Sequence, residues 1–181
     1  MLLRNNILIN QIMKKIILMA SLMCLNLVVA NSQPDLLNIG DFAPEIRLPN
    51  IKGDTVALSS LKNKIVLIDF WASWCAPCVS EQPKLSELYK KYKYSVFTTG
   101  NGFEIYAVSL DNKKKPWMSV VKKFKINWTQ VSDLQFWASP VAKTYNLQEL
   151  PFNLLIDGNG IIIAKNLHGD ELEQAILNIL K

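Results

Sequence analysis

Short runs of branched apolar residues alternate along the chain with segments in which apolar residues return every three or four positions, and this alternation predicts a layered α/β domain. The strongest run is Ile65-Val66-Leu67-Ile68-Asp69-Phe70-Trp71, rich in branched and aromatic residues as a central strand buried on both faces requires. Asp69 alone interrupts it. Downstream, Val79, Leu85, Leu88 and Tyr89 recur at helical spacing while Glu81, Lys84 and Glu87 fall elsewhere. That spacing predicts a helix from around Cys78 to about Lys93, with Pro83 kinking it. Residues 104–110 read as the next strand through Ile105, Ala107 and Val108, which completes a βαβ unit.

The flanking segments follow the same logic. Residues 45–48 and 54–58 read as two short strands turning through Lys52-Gly53-Asp54, with Ser59-Ser60-Leu61 a helical turn. Thr98-Thr99-Gly100-Asn101-Gly102 reads as a loop, residues 115–125 as a helix, and residues 140–145 as a short helix after the segment 128–137. Residues 152–157 and 160–165 are expected strands joined by Asp157-Gly158-Asn159-Gly160, and residues 170–180 close the chain as an amphipathic helix. The expected fold is therefore a central mixed β-sheet flanked by helices, with an N-terminal β-hairpin extension.

Ahead of this domain the pattern changes. Residues 1–15 carry Arg4, Lys14 and Lys15 with no acid, and the apolar run 16–30 follows, ending in Val28-Val29-Ala30 before polar Asn31-Ser32-Gln33-Pro34. This is the layout of a secretory signal, and the run is shorter than the roughly 20 residues of a spanning helix. The expected organisation is a signal peptide at 1–30, a linker at 31–39 and one domain at 40–181, in an exported, periplasmic protein. An uncleaved segment would instead tether it to the membrane.

Composition changes little once the leader is set aside. The whole chain has a formal net charge of +5, but residues 1–30 hold three of the bases and no acids, so the remainder carries +2. Lys113-Lys114-Lys115 is the one tight basic run, and such runs are ordinarily solvated, so no nucleic acid is expected as a partner. Of the three cysteines, Cys24 lies in the leader and Cys75 and Cys78 remain. A bridge closing so short a loop removes little entropy from the unfolded chain. Chemistry explains the pair better than stability does.

Disulfide exchange needs a thiolate that attacks and a second thiol that resolves the mixed disulfide. At a helix start, free N–H groups and the helix dipole favour an anion, which makes Cys75 the expected nucleophile and Cys78 the resolving thiol. Cys78 must then lose a proton. Asp69, desolvated in an apolar strand, is the expected acceptor; the plainer reading is a strand-end carboxylate met by water. Trp74, beside Cys75, is the one tryptophan expected to touch substrate, the others packing the core.

Asp69-Phe70-Trp71-Ala72-Ser73-Trp74-Cys75-Ala76-Pro77-Cys78, with Pro83 five residues on, resembles the active-site strand and turn of the thioredoxin family. Gly40-Asp41-Phe42-Ala43-Pro44, the hairpin before the core strand, and Val108-Ser109-Leu110-Asp111 resemble its exported TlpA-like branch, over residue 39 to the end. The resemblance implies the thioredoxin fold and thiol-disulfide oxidoreductase activity without a cofactor. It also implies protein disulfide or dithiol substrates, and an upstream membrane electron donor or acceptor. It further implies a cis bond at Leu150-Pro151 facing the cysteines, with Leu150, Pro151 and Pro77 beside the bound substrate. The family commonly has a small hydroxyl residue after that proline, where this chain has Phe152 and then Asn153, a departure bearing on substrate preference. Asp111 matches an acidic position of some TlpA-like proteins and equally reads as a plain loop acid.

Other chemistries fit less well. A zinc site normally needs four ligands, and no second cysteine pair follows the leader. Haem attachment would need a histidine where Val79 stands. A copper-carrying thioredoxin-like module would want a well-placed histidine, whereas His168 is expected in a solvent-facing turn. A thiol peroxidase of related fold would build its reactive cysteine into a different loop. No metal is expected.

Overall fold

The computed structural model describes residues 37–181, together with Met13 ahead of them. The expected signal peptide and most of the expected linker lie outside the described residues. A small antiparallel hairpin comes first, β1 (Arg47–Pro49) and β2 (Thr55–Ala57), followed by a 3-10 turn at Leu58–Leu61. Strand β3 (Ile65–Trp71) leads into helix α1 (Ala76–Tyr92). The tight pair β4 (Val96–Phe97) and β5 (Gly100–Asn101) precedes β6 (Phe103–Ser109). Then come α2 (Lys114–Lys123), β7 (Thr129–Val131), the short α3 (Pro140–Thr144), β8 (Phe152–Ile156), β9 (Ile162–Lys165) and α4 (Gly169–Leu177).

Five strands form one mixed sheet in the order β7-β6-β3-β8-β9. β6 runs parallel to β3 and β8 antiparallel to it, so β3 is hydrogen-bonded along both edges. Every one of its seven residues is buried, as its apolar run requires. The parallel neighbour cannot be reached by a tight turn, and α1 supplies the crossover. Along β3 the side chains alternate faces. Tyr106, register partner of Ile68, donates its hydroxyl to the Val56 carbonyl at 2.8 Å, which seats the hairpin over that face. Asp69 therefore points to the opposite face.

Helix α1 is tied to α4 at the surface. Glu173 accepts from Lys84 at 2.9 Å and from Lys91 at 2.8 Å, and these two bonds, Lys91 first, hold its carboxyl down at about 2. Such exposed pairs contribute little individually; the helices are held chiefly by burial of Leu85, Leu88, Leu172 and Ile176.

Three expectations need correction. Residues 98–102 are not a plain loop: Val96 pairs with Asn101 and Phe97 with Gly100 as a small antiparallel hairpin. The segment 128–137 contains strand β7, which the apolar pattern hides because its middle residue is Gln130. That amide is buried and accepts from the Trp117 indole at 3.3 Å, so a polar residue occupies a core position. The helix expected to begin around Cys78 starts earlier, at Ala76, with Pro77 in its first turn, where the missing N–H costs nothing.

Close backbone approach locks the β4–β5 hairpin to the turn after β8. A Cβ on Gly158 would lie 1.8 Å from the Thr99 carbonyl oxygen, and neither partner is a flexible side chain that can move aside. Gly158→Ala is expected to destabilise the domain by about 2 kcal/mol or more, read as a lowered midpoint in denaturant unfolding. A parent-like midpoint would mean the two turns separate freely.

Candidate functional site

Where β3 leaves the sheet, the chain turns through Ala72, Ser73 and Trp74, and the Cys75 N–H donates to the Ala72 carbonyl at 3.1 Å. Cys75 caps helix α1 in extended conformation, its Sγ accepting the Cys78 N–H at 3.3 Å. A disulfide joins Cys75 to Cys78. The first turn of the helix carries no acid, so nothing on it opposes negative charge at its N-terminus, where the dipole favours an anion. Cys75 is 6% exposed and Cys78 1%. Cys75 is thus the more exposed of the two residues, as expected.

Asp69 is 3% exposed, and its Oδ2 has no hydrogen-bond partner among the described residues. Burial, with the negative charge of Glu81 adding to it, pushes its carboxyl from 3.8 up to about 8. On the neighbouring strands it faces Ala107 of β6 and Asn153 of β8. Below about pH 8 the carboxyl is therefore mostly protonated, and its ionised fraction grows as pH approaches that value.

Asp111 is a structural acid rather than a plain loop residue. It is 2% exposed and accepts from the Ser73 N–H at 2.9 Å, from the Ser73 hydroxyl, and from the Ser109 hydroxyl at 2.7 Å. The bonds reach across 38 residues of sequence and pin the turn that presents Trp74 and Cys75. Ser132 extends the frame, donating to the Ser109 carbonyl at 2.7 Å and accepting from the Leu134 N–H.

Beyond Ser132 the chain doubles back, cinched by the Ser139 hydroxyl on Asp133 at 2.7 Å. Leu134 and Phe136 both adopt φ of +56°, a left-handed conformation that bulky residues rarely take. The turn sets Phe136 and Trp137 against Trp74, with ring centroids 5.2 and 6.4 Å away. Trp74, Phe136 and Trp137 are 47%, 39% and 36% exposed, an aromatic surface adjoining Cys75. Trp71, Trp117 and Trp128 are core residues as expected, but Trp137 is not. Sequence reading passed over Phe136 and Trp137. Their signal was an adjacent aromatic pair in an otherwise polar stretch.

On the other flank, Pro77, Ser80, Glu81, Pro151 and His168 line one open groove. The Leu150–Pro151 bond is cis. Pro77 and Pro151 therefore come together, whereas Leu150 is half-buried and packs on the core. Phe152 also packs inward, its ring 6.3 Å from Phe70. His168 is not a free turn residue, for its Nδ1 lies 2.9 Å from Glu81 Oε1. Eighty-seven positions separate the two, so no local pattern reveals the contact.

Comparison with known proteins agrees with this fold. A family model described as Thioredoxin-like matches residues 63–162. The thiol-disulfide oxidoreductase ResA of Geobacillus kaustophilus is 33% identical over 144 residues, 78% of each chain. ResA of Bacillus cereus is 30% identical over 150 residues, 83% of this chain and 81% of that one. Among solved structures, the thioredoxin domain of a thiol-disulfide oxidoreductase from Bacteroides vulgatus superposes with a TM-score of 0.71 at 34% identity, over 78% of this chain and 97% of that one. A thiol-disulfide oxidoreductase from Bacteroides fragilis gives 0.69 at 33% identity, over 76% and 98%.

Burial of Asp69 has a consequence for stability. A carboxyl whose pKa is raised on folding binds its proton more tightly in the folded state, so stability is full below pH 3.8 and declines as pH rises toward about 8. By pH 8 the loss amounts to several kcal/mol, on the order of 1.4 kcal/mol for each unit between the two values. Asp69→Asn should therefore raise the denaturant midpoint at pH 7 to 8 and leave it nearly unchanged near pH 3. Equal midpoints for the two proteins across that range would contradict the burial argument.

Proposed function

The chain belongs to the thioredoxin-like family of thiol-disulfide oxidoreductases, and from that premise we propose that it exchanges disulfides with exported protein substrates through Cys75 and Cys78. The observation that carries this reading is the disulfide at the start of helix α1, which follows a strand holding a buried acid with an unpartnered oxygen. In the reducing direction the Cys75 thiolate attacks a substrate disulfide, forming a Cys75–substrate bond and releasing one substrate sulfur as thiolate. Cys78 then gives its proton to Asp69 in its ionised form, a minority at neutral pH that grows as pH rises toward about 8, and its sulfur attacks Cys75 Sγ. The mixed disulfide breaks, the Cys75–Cys78 bond forms, and the second substrate sulfur leaves with the electron pair. The oxidising direction is the same sequence reversed.

Recognition divides between the two flanks of the sulfur pair. The substrate segment carrying the cysteine runs along the groove at Pro77 and Pro151, with Leu150 holding the proline from the core side. Apolar side chains next to that cysteine rest on Trp74, Phe136 and Trp137, whose exposure beside Cys75 supports this role. The basic and then apolar layout of residues 1–30 supports export to the periplasm, where disulfides persist. A membrane partner there would restore the pair's redox state after each turnover. Among the described residues no helix is long and apolar enough to cross a membrane.

Reduction of insulin in the presence of a dithiol should be readily measured for the parent and lost in Cys75→Ser; activity surviving that substitution would remove Cys75 from the reaction. In the reduced protein, brief alkylation followed by peptide mapping should label Cys75 well before Cys78, and equal labelling would argue against the assigned order. Replacing Phe136 and Trp137 together by Ala should raise KM for a protein substrate several-fold, roughly 1 kcal/mol of lost apolar contact. KM for a small symmetric disulfide should move much less. Equal changes for both substrates would mean the aromatic surface does not contact protein.

A further inference from the structure

His168 is the one histidine of the chain, and three elements cooperate to hold its ring beside the cysteine helix. It stands at the N-cap position of α4 with its ring free of any cap bond, and the backbone just before it is clasped by Asn153 of β8. The Asn153 amide donates to the Leu167 carbonyl at 2.8 Å and accepts the Leu167 N–H at 3.1 Å. Asn153 is also the cross-strand register partner of Asp69. The ring so delivered meets Glu81 Oε1 at 2.9 Å through Nδ1 and Asn166 Oδ1 at 3.2 Å through Nε2.

Glu81 lies one turn beyond Cys78 on α1, with its side chain 15% exposed. It has no other ion-pair partner among the described residues. Lys84, on the same helix, is engaged by Asp170 and Glu173 of α4. From the strands, Asp69 is faced by Ala107 and Asn153, neither of them ionisable. Glu81 is thus the carboxylate whose charge is felt at Asp69.

We propose that His168 is a positioning residue, holding the Glu81 carboxylate against the inner side of helix α1 and so fixing the charge beside which Asp69 takes the proton of Cys78. Without the ring, Glu81 is free to turn into solvent, where water screens it. Asp69 then ionises at lower pH, because a like charge has moved away. The inference rests on the reading of Asp69 as proton acceptor.

The test is stopped-flow mixing of the reduced full-length chain with Ellman's reagent across pH 5 to 10. One thionitrobenzoate anion leaves as Cys75 attacks the reagent. The second leaves when Cys78, having lost its proton, attacks Cys75 Sγ and closes the disulfide. In the parent, the rate of this second release should rise with pH around one midpoint. His168→Ala should move that midpoint down by about half a pH unit or more, as the loss of a partly screened like charge requires.

Glu81→Gln should move it the same way, and the double variant no further than Glu81→Gln alone, since both act through one group. His168→Gln, whose amide still donates to a carboxylate, should restore most of the parent midpoint. A midpoint unchanged or raised in His168→Ala overturns the inference, as does an additive double variant. Asp69→Asn separates the two readings. If it leaves the profile intact, the acceptor assignment and this inference fall together. If it flattens the profile while His168→Ala leaves the midpoint in place, only the inference falls.

Discussion

A carboxyl group is buried in the central strand of the sheet, and the arrangement around it follows from that placement. Transferring an ionised carboxylate out of water costs several kcal/mol even after the protein relaxes, so Asp69 keeps its proton to about pH 8. Strands on both edges of β3 leave its backbone no freedom to carry the side chain toward water. On the proposed reading, proton traffic at Asp69 runs to helix α1, which carries the cysteines. With the cysteines at the N-terminus of that helix, the sulfur that on this reading must lose a proton lies one turn inward. The sulfur that this reading makes the attacking thiolate stays at the dipole end.

Two acids near the site are handled in opposite ways. Asp111 has its oxygens met by the Ser73 N–H and by the hydroxyls of Ser73 and Ser109, whereas Oδ2 of Asp69 has no partner. A saturated buried carboxylate serves as a fixed anchor, and here it anchors the turn before Cys75. An unsatisfied buried oxygen costs about 1–3 kcal/mol, an expense with no structural return. On the proposed reading, the contrast separates the group that holds the geometry from the group that takes the proton, Asp69 lying within β3 and Asp111 just past the end of β6.

Much of this was legible from residues alone, and the reasons differ by element. β3 and β6 announce themselves because burial on both faces demands an almost unbroken apolar run, and α1 because its buried face repeats at helical spacing. The cysteine pair is legible because its spacing and helix-start setting are local. Strand β7 is not, since three residues with a buried Gln130 in the middle display no period. The hairpin at 96–101 is set by the approach of Gly158 to Thr99, a contact between distant turns. Asp111 on Ser73 and His168 on Glu81 are likewise long-range pairings. Sequence could name each residue but not join them.

The aromatic surface illustrates how such joining is enforced. Phe136 at φ +56° sits in a conformation costing on the order of 1–2 kcal/mol for a residue with a Cβ, and its ring remains partly in water. Neither term stabilises the fold. The segment holds that geometry because Ser132 and Asp133 bind the backbone and side chains on both sides of it. Ser132 is in turn fixed to the Ser109–Asp111 frame that also sets Trp74. One polar network therefore positions the sulfur-bearing turn and the aromatic rings together. On the proposed reading, a substrate held by those rings is registered directly against Cys75, and the strain at Phe136 is offset through recognition rather than through folding.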